Sequence, residues 1–400
     1  SIYAFQATNG GTVDLSALTT VTGGSVNFES VGAGSSLLIP ALDSADKSNF
    51  AARTGGQLVV PIAAYANSTE DASRTRTFVA EGAKSSLQLP DLVQVTGSNA
   101  NNSETQFRAT AGGALLAPAV TTINDGLIRF TADHGQVSFP KLAEIAKGRT
   151  FFEATGADSK LEIGALTTAN SASWFAREGA QIAAPLITSY SHTTLDTNKS
   201  VTLLAHGLNG KVDLSGVTQL AGNKTQNSQV IVQGLKRGRV DLSSATAITT
   251  GRFDIVADDG EVDLSSLKTI ADGKVSFEAR GTDAAIKLPA LQQAFETSFI
   301  ARDGAQIALP ALSQYLRDAV TTNSQAQLNA EGIGSLLQFP ALEQLTSSDV
   351  QNSDLTIRGA FGGTAQFNQL ATLGSGRFVL LAERGKIELP ALQSVASGVE

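Results

Sequence analysis

Apolar and polar residues alternate in short runs along the whole chain. In Val275-Ser276-Phe277-Glu278-Ala279-Arg280 the apolar set is Val275, Phe277 and Ala279, and the polar set is Ser276, Glu278 and Arg280. Side chains at i and i+2 share one face of an extended strand, so each run predicts a half-buried strand with a polar outer face. Helical spacing is missing from these runs, and glycine and β-branched residues are frequent between and within them.

The runs are copies of one another. A large apolar residue, any residue and a small residue recur, with glycine a few positions on. The leading residues are Phe5, Phe28, Phe50, Phe78, Phe107, Phe130, Phe152, Trp174, Leu203, Val232, Ile255, Phe277, Phe299, Leu328, Ile357 and Leu380. A second pattern follows each of them: apolar, any, apolar, Pro or Ser, any, apolar, as in Ile286-Lys287-Leu288-Pro289-Ala290-Leu291. All 10 prolines of the chain stand at its fourth place. The remaining copies put Ser16, Gly164, Ser215, Ser243, Ser265 or Asn368 there, all turn formers or strand breakers. Proline fixes φ and has no N–H to donate, so this place predicts a strand end at a corner.

The spacing carries a longer period. From Phe107 to Val232 and from Val232 to Ile357 is each 125 residues, divided into steps of 23, 22, 22, 29 and 29. Tyr65, Tyr190 and Tyr315 keep the same 125-residue spacing. A period of 22–29 residues holding two or three short strands predicts an all-β fold, a single-stranded, right-handed parallel β-helix of about 16 coils. Successive coils would stack about 4.8 Å apart. The expectation is one continuous solenoid over 1–400, with super-repeats 1–106 (incomplete), 107–231, 232–356 and 357–400 (incomplete). Columns of Phe and of Leu and Pro would fill its lumen. A leucine-rich repeat has a similar strand, but its Asn/Cys ladder and helical return segment have no counterpart here.

The Phe-x-Ala-x-x-Gly and Leu-Pro-Ala-Leu signatures resemble the parallel β-helix repeats of large bacterial surface and secreted proteins, such as adhesins, autotransporter passengers and phage-tail-like fibres. The resemblance covers the whole chain and is architectural. It implies an extracellular or cell-surface location and a structural or adhesive role, as a rigid stalk or fibre continuing into a larger polypeptide at one or both ends.

Composition removes most chemistry. Among 400 residues there is no Cys, no Met and only three His, which excludes disulfides, thiolate zinc sites and cysteine nucleophiles. A formal net charge of −8 without a basic run argues against nucleic acid as a partner, and no apolar stretch is long enough to insert as a membrane helix.

Three candidate sites remain. Coils of 29 residues carry extra Asn-, Ser- and Thr-rich residues at one corner, in adjacent pairs once per 125 residues. Loops on a rigid scaffold commonly carry binding. Tyr65, Tyr190, Tyr315, His192, Asn198 and Asn223 are therefore candidates for holding a glycan or another surface protein. The alternative reading is that the tyrosines anchor the loop bases. Asp213, Asp241 and Asp263 share one outward place in three successive coils. Calcium between coils could compensate their charges, as could an ion-pair ladder with Lys211 and Arg239. Finally, Asp258, Asp259, Glu261 and Asp263, with Arg252 and Lys274 nearby, form the densest acidic cluster. A polysaccharide lyase or hydrolase would need such carboxylates, but this place recurs coil after coil as Asp-Gly or Glu-Gly turn chemistry. The expectation is accordingly no enzyme and no cofactor.

Overall fold

The computed structural model describes residues 2–22, 24–67, 74–98, 100, 103–192, 199–225, 228–317 and 325–396. The chain forms two compact units, residues 1–188 with 209–213, and residues 189–208 with 214–400. Each is a parallel β-solenoid with three faces.

In the first unit, eight long strands run from Ile2–Thr8 to Ala172–Arg177. Each pairs parallel with the next, and the leading residues of the repeat meet one another. Phe5 pairs with Phe28, Phe28 with Phe50, Phe50 with Phe78, Phe78 with Phe107, Phe107 with Phe130, Phe130 with Phe152 and Phe152 with Trp174. Parallel strand spacing then places one aromatic ring above another. The Phe rings from Phe5 to Phe152 stack with centroids 4.8–5.7 Å apart, and Trp174 caps the column at 4.4 Å. The small residue two places on, such as Ala52 or Ala80, is fully buried beside each ring.

The second unit repeats the arrangement with eight long strands, from Val201–His206 to Phe378–Glu383. Leu203, Val232, Ile255, Phe277, Phe299, Leu328, Ile357 and Leu380 form its register column. In both units a second face consists mostly of three-residue strands such as Ser36–Leu38 and Ala285–Lys287. The third face is a five-stranded parallel sheet in the first unit and a nine-stranded one in the second.

The corners follow from local chemistry. Between the long and second faces lies a tight turn with two left-handed residues. Glu178 has φ 53° and Gly179 φ 83°, closed by Ala180 N–H on the Arg177 carbonyl at 3.0 Å. Two positive φ values define a type I′ turn, and Asp303-Gly304, with φ 54° and 87°, repeats it. The proline place lies at the next corner, at the second position of another four-residue turn. Leu42 N–H meets the Ile39 carbonyl at 3.1 Å across Pro40. The prolines do not line the lumen as expected. They are exposed, apart from half-buried Pro61 and Pro340, and the interior is filled by flanking apolar residues such as Leu37, Ile39 and Leu42. The cause is geometric: turn position two points away from the strand faces, so its residue serves φ and not packing.

Candidate functional site

The paired corner loops rest on a polar node that repeats every 125 residues. Tyr65, Tyr190 and Tyr315 are 2, 1 and 3 % exposed, so they belong to the core and not to the loop surface. Tyr65 Oη donates to the Ser48 carbonyl at 2.9 Å, and Tyr315 Oη donates to the Thr297 carbonyl. Burial pushes all three phenols well above the usual tyrosine range, so they stay neutral donors.

Two residues after each tyrosine stands a buried polar side chain of a different kind: Asn67, His192 or Arg317. Each reaches the far side of the loop pair. Asn67 Nδ2 donates to Thr105 Oγ1 at 3.1 Å. His192 Nε2 lies 2.7 Å from the Lys199 carbonyl and 2.9 Å from Ser228 Oγ. Arg317 Nη1 donates to the Ser353 carbonyl. Burial lowers the Arg317 pKa, opposed by Tyr315 and Glu296. Ser103, Ser228 and Ser353 occupy the equivalent buried place.

The loops also fold on themselves. Asn223 Oδ1 accepts the Thr225 N–H at 2.9 Å, and Ser98 and Ser348, at the equivalent positions, accept the N–H two residues on. The side chains singled out in the sequence therefore serve as anchors of the loops. Asn198 lies outside the described residues. The equivalence of Asn67, His192 and Arg317 was legible at the 125-residue offset but is hidden by their different chemistry.

The aspartates of the second face have a specific partner. Ser243 N–H donates to Asp241 Oδ1 at 3.2 Å, Ser265 N–H to Asp263 Oδ1 at 3.1 Å and Ser16 N–H to Asp14 Oδ1 at 2.9 Å. Every copy with Ser at the turn has Asp two residues earlier, and no copy with Pro does. A serine brings an amide N–H that proline lacks, and the aspartate satisfies it. The other carboxylate oxygen meets cations. Lys211 Nζ is 2.7 Å from Asp213, and Arg239 Nη2 is 3.2 Å from Asp241 and 3.0 Å from Asp263. Lys287 bridges Glu261 at 2.7 Å and Asp263 at 3.6 Å, and its hydrogen bond to Glu261 raises its pKa. The charges thus form an ion-pair ladder. Among the described residues no group of three or more His, Asp or Glu side chains is placed to hold a metal ion.

The turn chemistry is exchangeable in principle. Asp263→Ala should cost about 1–3 kcal/mol, because it strands the Ser265 N–H and loosens two cations. Adding Ser265→Pro should recover part of that loss by removing the orphaned donor. Urea midpoints of the two variants decide this, and a further drop in the double variant would contradict the exchange.

Outward residues of the long strands form ladders of alternating sign. In the first unit Arg53 sits between Glu29 and Glu81, and Arg129 between Glu104 and Glu153. In the second, Glu278 pairs with Arg302, Arg302 with Glu331, Glu331 with Arg358 and Arg358 with Glu383, at 2.9–3.4 Å. Desolvation raises the Asp254 carboxyl above its usual range, helped by Glu278 and opposed by Arg280. No protein-family model, curated protein or solved structure matches this chain.

Proposed function

We propose that the chain is a scaffold segment of a larger extracellular or cell-surface protein, a stiff β-solenoid whose task is to hold other parts in place. The observation that carries this reading is the internal use of its chemistry. Aromatic columns, turn aspartates, buried loop nodes and charge ladders each bind one coil to the next. Such nearest-neighbour stacking stabilises an array without disulfides or a bound ion. The outward polar residues of the ladders are committed to adjacent coils, as a scaffold requires.

An adhesin that uses the paired loops is the competing reading. It is separated by deleting residues 193–198 and 224–227 of one loop pair, which spares His192 and Ser228, and comparing binding on glycan and cell-surface arrays. The scaffold reading expects an unchanged binding profile with a modest loss of thermal stability. Loss of a specific array signal would transfer the function to the loops.

A further inference from the structure

One cavity in the second unit breaks the pattern of internally matched charge. It has a volume of about 190 Å³ and opens on the long-strand face, near its corner with the third face. Arg252 and Lys274 line it and pair directly with each other in register on adjacent strands. Like charges so placed, one strand spacing apart, repel unless something lies between them. Both are half-buried. Neither forms an ion pair among the described residues, whereas Arg280, Arg302 and Arg358 on the same face are each held by glutamate. The Arg252 Nε atom is buried without a hydrogen-bond acceptor, a cost that a bound oxygen would remove.

Asp254 and Glu296 also line the cavity, but among the described residues neither forms an ion pair with Arg252 or Lys274. Glu296 acts on Arg317 and Tyr315 at the neighbouring loop node. The rest of the lining is Arg317, the apolar Phe253, Val275 and Ala326, and the neutral polar Gln229, Ser276, Ser298 and Gln325. Ser276 and Ser298 stand next to each other in register, Gln229 precedes Arg252 along the stack, and Glu296 lies in the coil between Lys274 and Gln325. Hydroxyls and amides that both donate and accept suit the hydroxyls of a sugar, whereas a bare anion would need donors alone.

We propose that this cavity binds an acidic saccharide, its carboxylate or sulfate held between Arg252 and Lys274 and its hydroxyls met by Ser276, Ser298 and the two glutamines. The site adjoins the loop node through Arg317 and does not depend on the scaffold reading.

Calorimetric titration of the whole chain tests it, with a galacturonate trimer as the carboxylated probe and a heparin-derived tetrasaccharide as the sulfated one. Maltotriose and sodium sulfate serve as the neutral and bare-anion probes. At least one acidic oligosaccharide should bind more tightly than either control, and the preferred one identifies the anionic group. Arg252→Gln with Lys274→Gln should weaken that binding at least about tenfold, while Arg302→Gln in the ladder leaves it unchanged. Lys274→Glu is the second variant, should the double one fold poorly. Binding of neither acidic probe, equal binding of sulfate alone, or undiminished binding by Lys274→Glu would overturn the proposal.

Discussion

Replacing Phe277 by Ala should reduce the free energy of unfolding by about 3–5 kcal/mol, the range for truncating a buried aromatic side chain. Phe277 is completely buried, stacks on Phe299 with centroids 5.3 Å apart and rings within 5° of parallel, and meets Ile255 on the other side. The truncation removes its transfer free energy and leaves a void that coils fixed by backbone pairing cannot close. Ile255→Val, one methylene smaller in the same column, should cost only about 0.5–1.5 kcal/mol. Urea unfolding of the variants measures both. Equal midpoints for Phe277→Ala and wild type would mean that the register column does not fill the lumen.

Gly273→Ala should destabilise the protein by about 3 kcal/mol or more, although it adds a single methyl group. Gly273 has φ 116°, outside the range of residues with a Cβ, and an added Cβ would lie 1.9 Å from the Gly251 carbonyl oxygen. Two costs therefore combine: backbone strain of about 1–3 kcal/mol and displacement of main chain in a neighbouring coil. Gly164→Ala is the control. An added Cβ there meets nothing within 4 Å, and its φ is compatible with alanine. It should be neutral or stabilising by up to about 1 kcal/mol through the unfolded chain. Similar losses for the two variants would show that glycine content in general, and not the close approach at Gly273, sets the effect.

The register was readable because one residue per coil identifies each strand. Once Phe107 and Phe130 are equivalent, the pairing that joins them follows, and the period of two assigns the faces. The position of the prolines was not readable in the same way. A run such as Leu288-Pro289-Ala290-Leu291 shows where a strand ends but not which side of the corner faces inward, because the turn resets the alternation. The tyrosines misdirect for a related reason. They sit next to polar insertions in sequence, yet the third-face strand turns them into the core before the loop begins. Coupling of Asp with Ser, and of other residues with Pro, was present in the repeat but acquires meaning only when the Asp carboxylate is seen on the Ser N–H. The Arg252 and Lys274 cavity lies furthest from a sequence reading. The sequence sets both cations near an acidic cluster, and their placement directly opposite each other depends on how the coils stack.

The alternating ladders tie the surface charge of one coil to that of the next. Along Glu278, Arg302, Glu331, Arg358 and Glu383 the sign reverses at every coil. Arg302 faces Glu331 directly, whereas the other three pairs are diagonal, with Glu278 opposite Ile300, Glu331 opposite Ala360 and Arg358 opposite Asn329 and Leu381. Diagonal pairs are within reach of long side chains, so Arg302, Glu331 and Arg358 each answer to the coils on both sides. Removing the coil of Glu331 would leave Arg302 and Arg358 each with one glutamate fewer, so the outer surface ties the order of the coils together as well as the packing within.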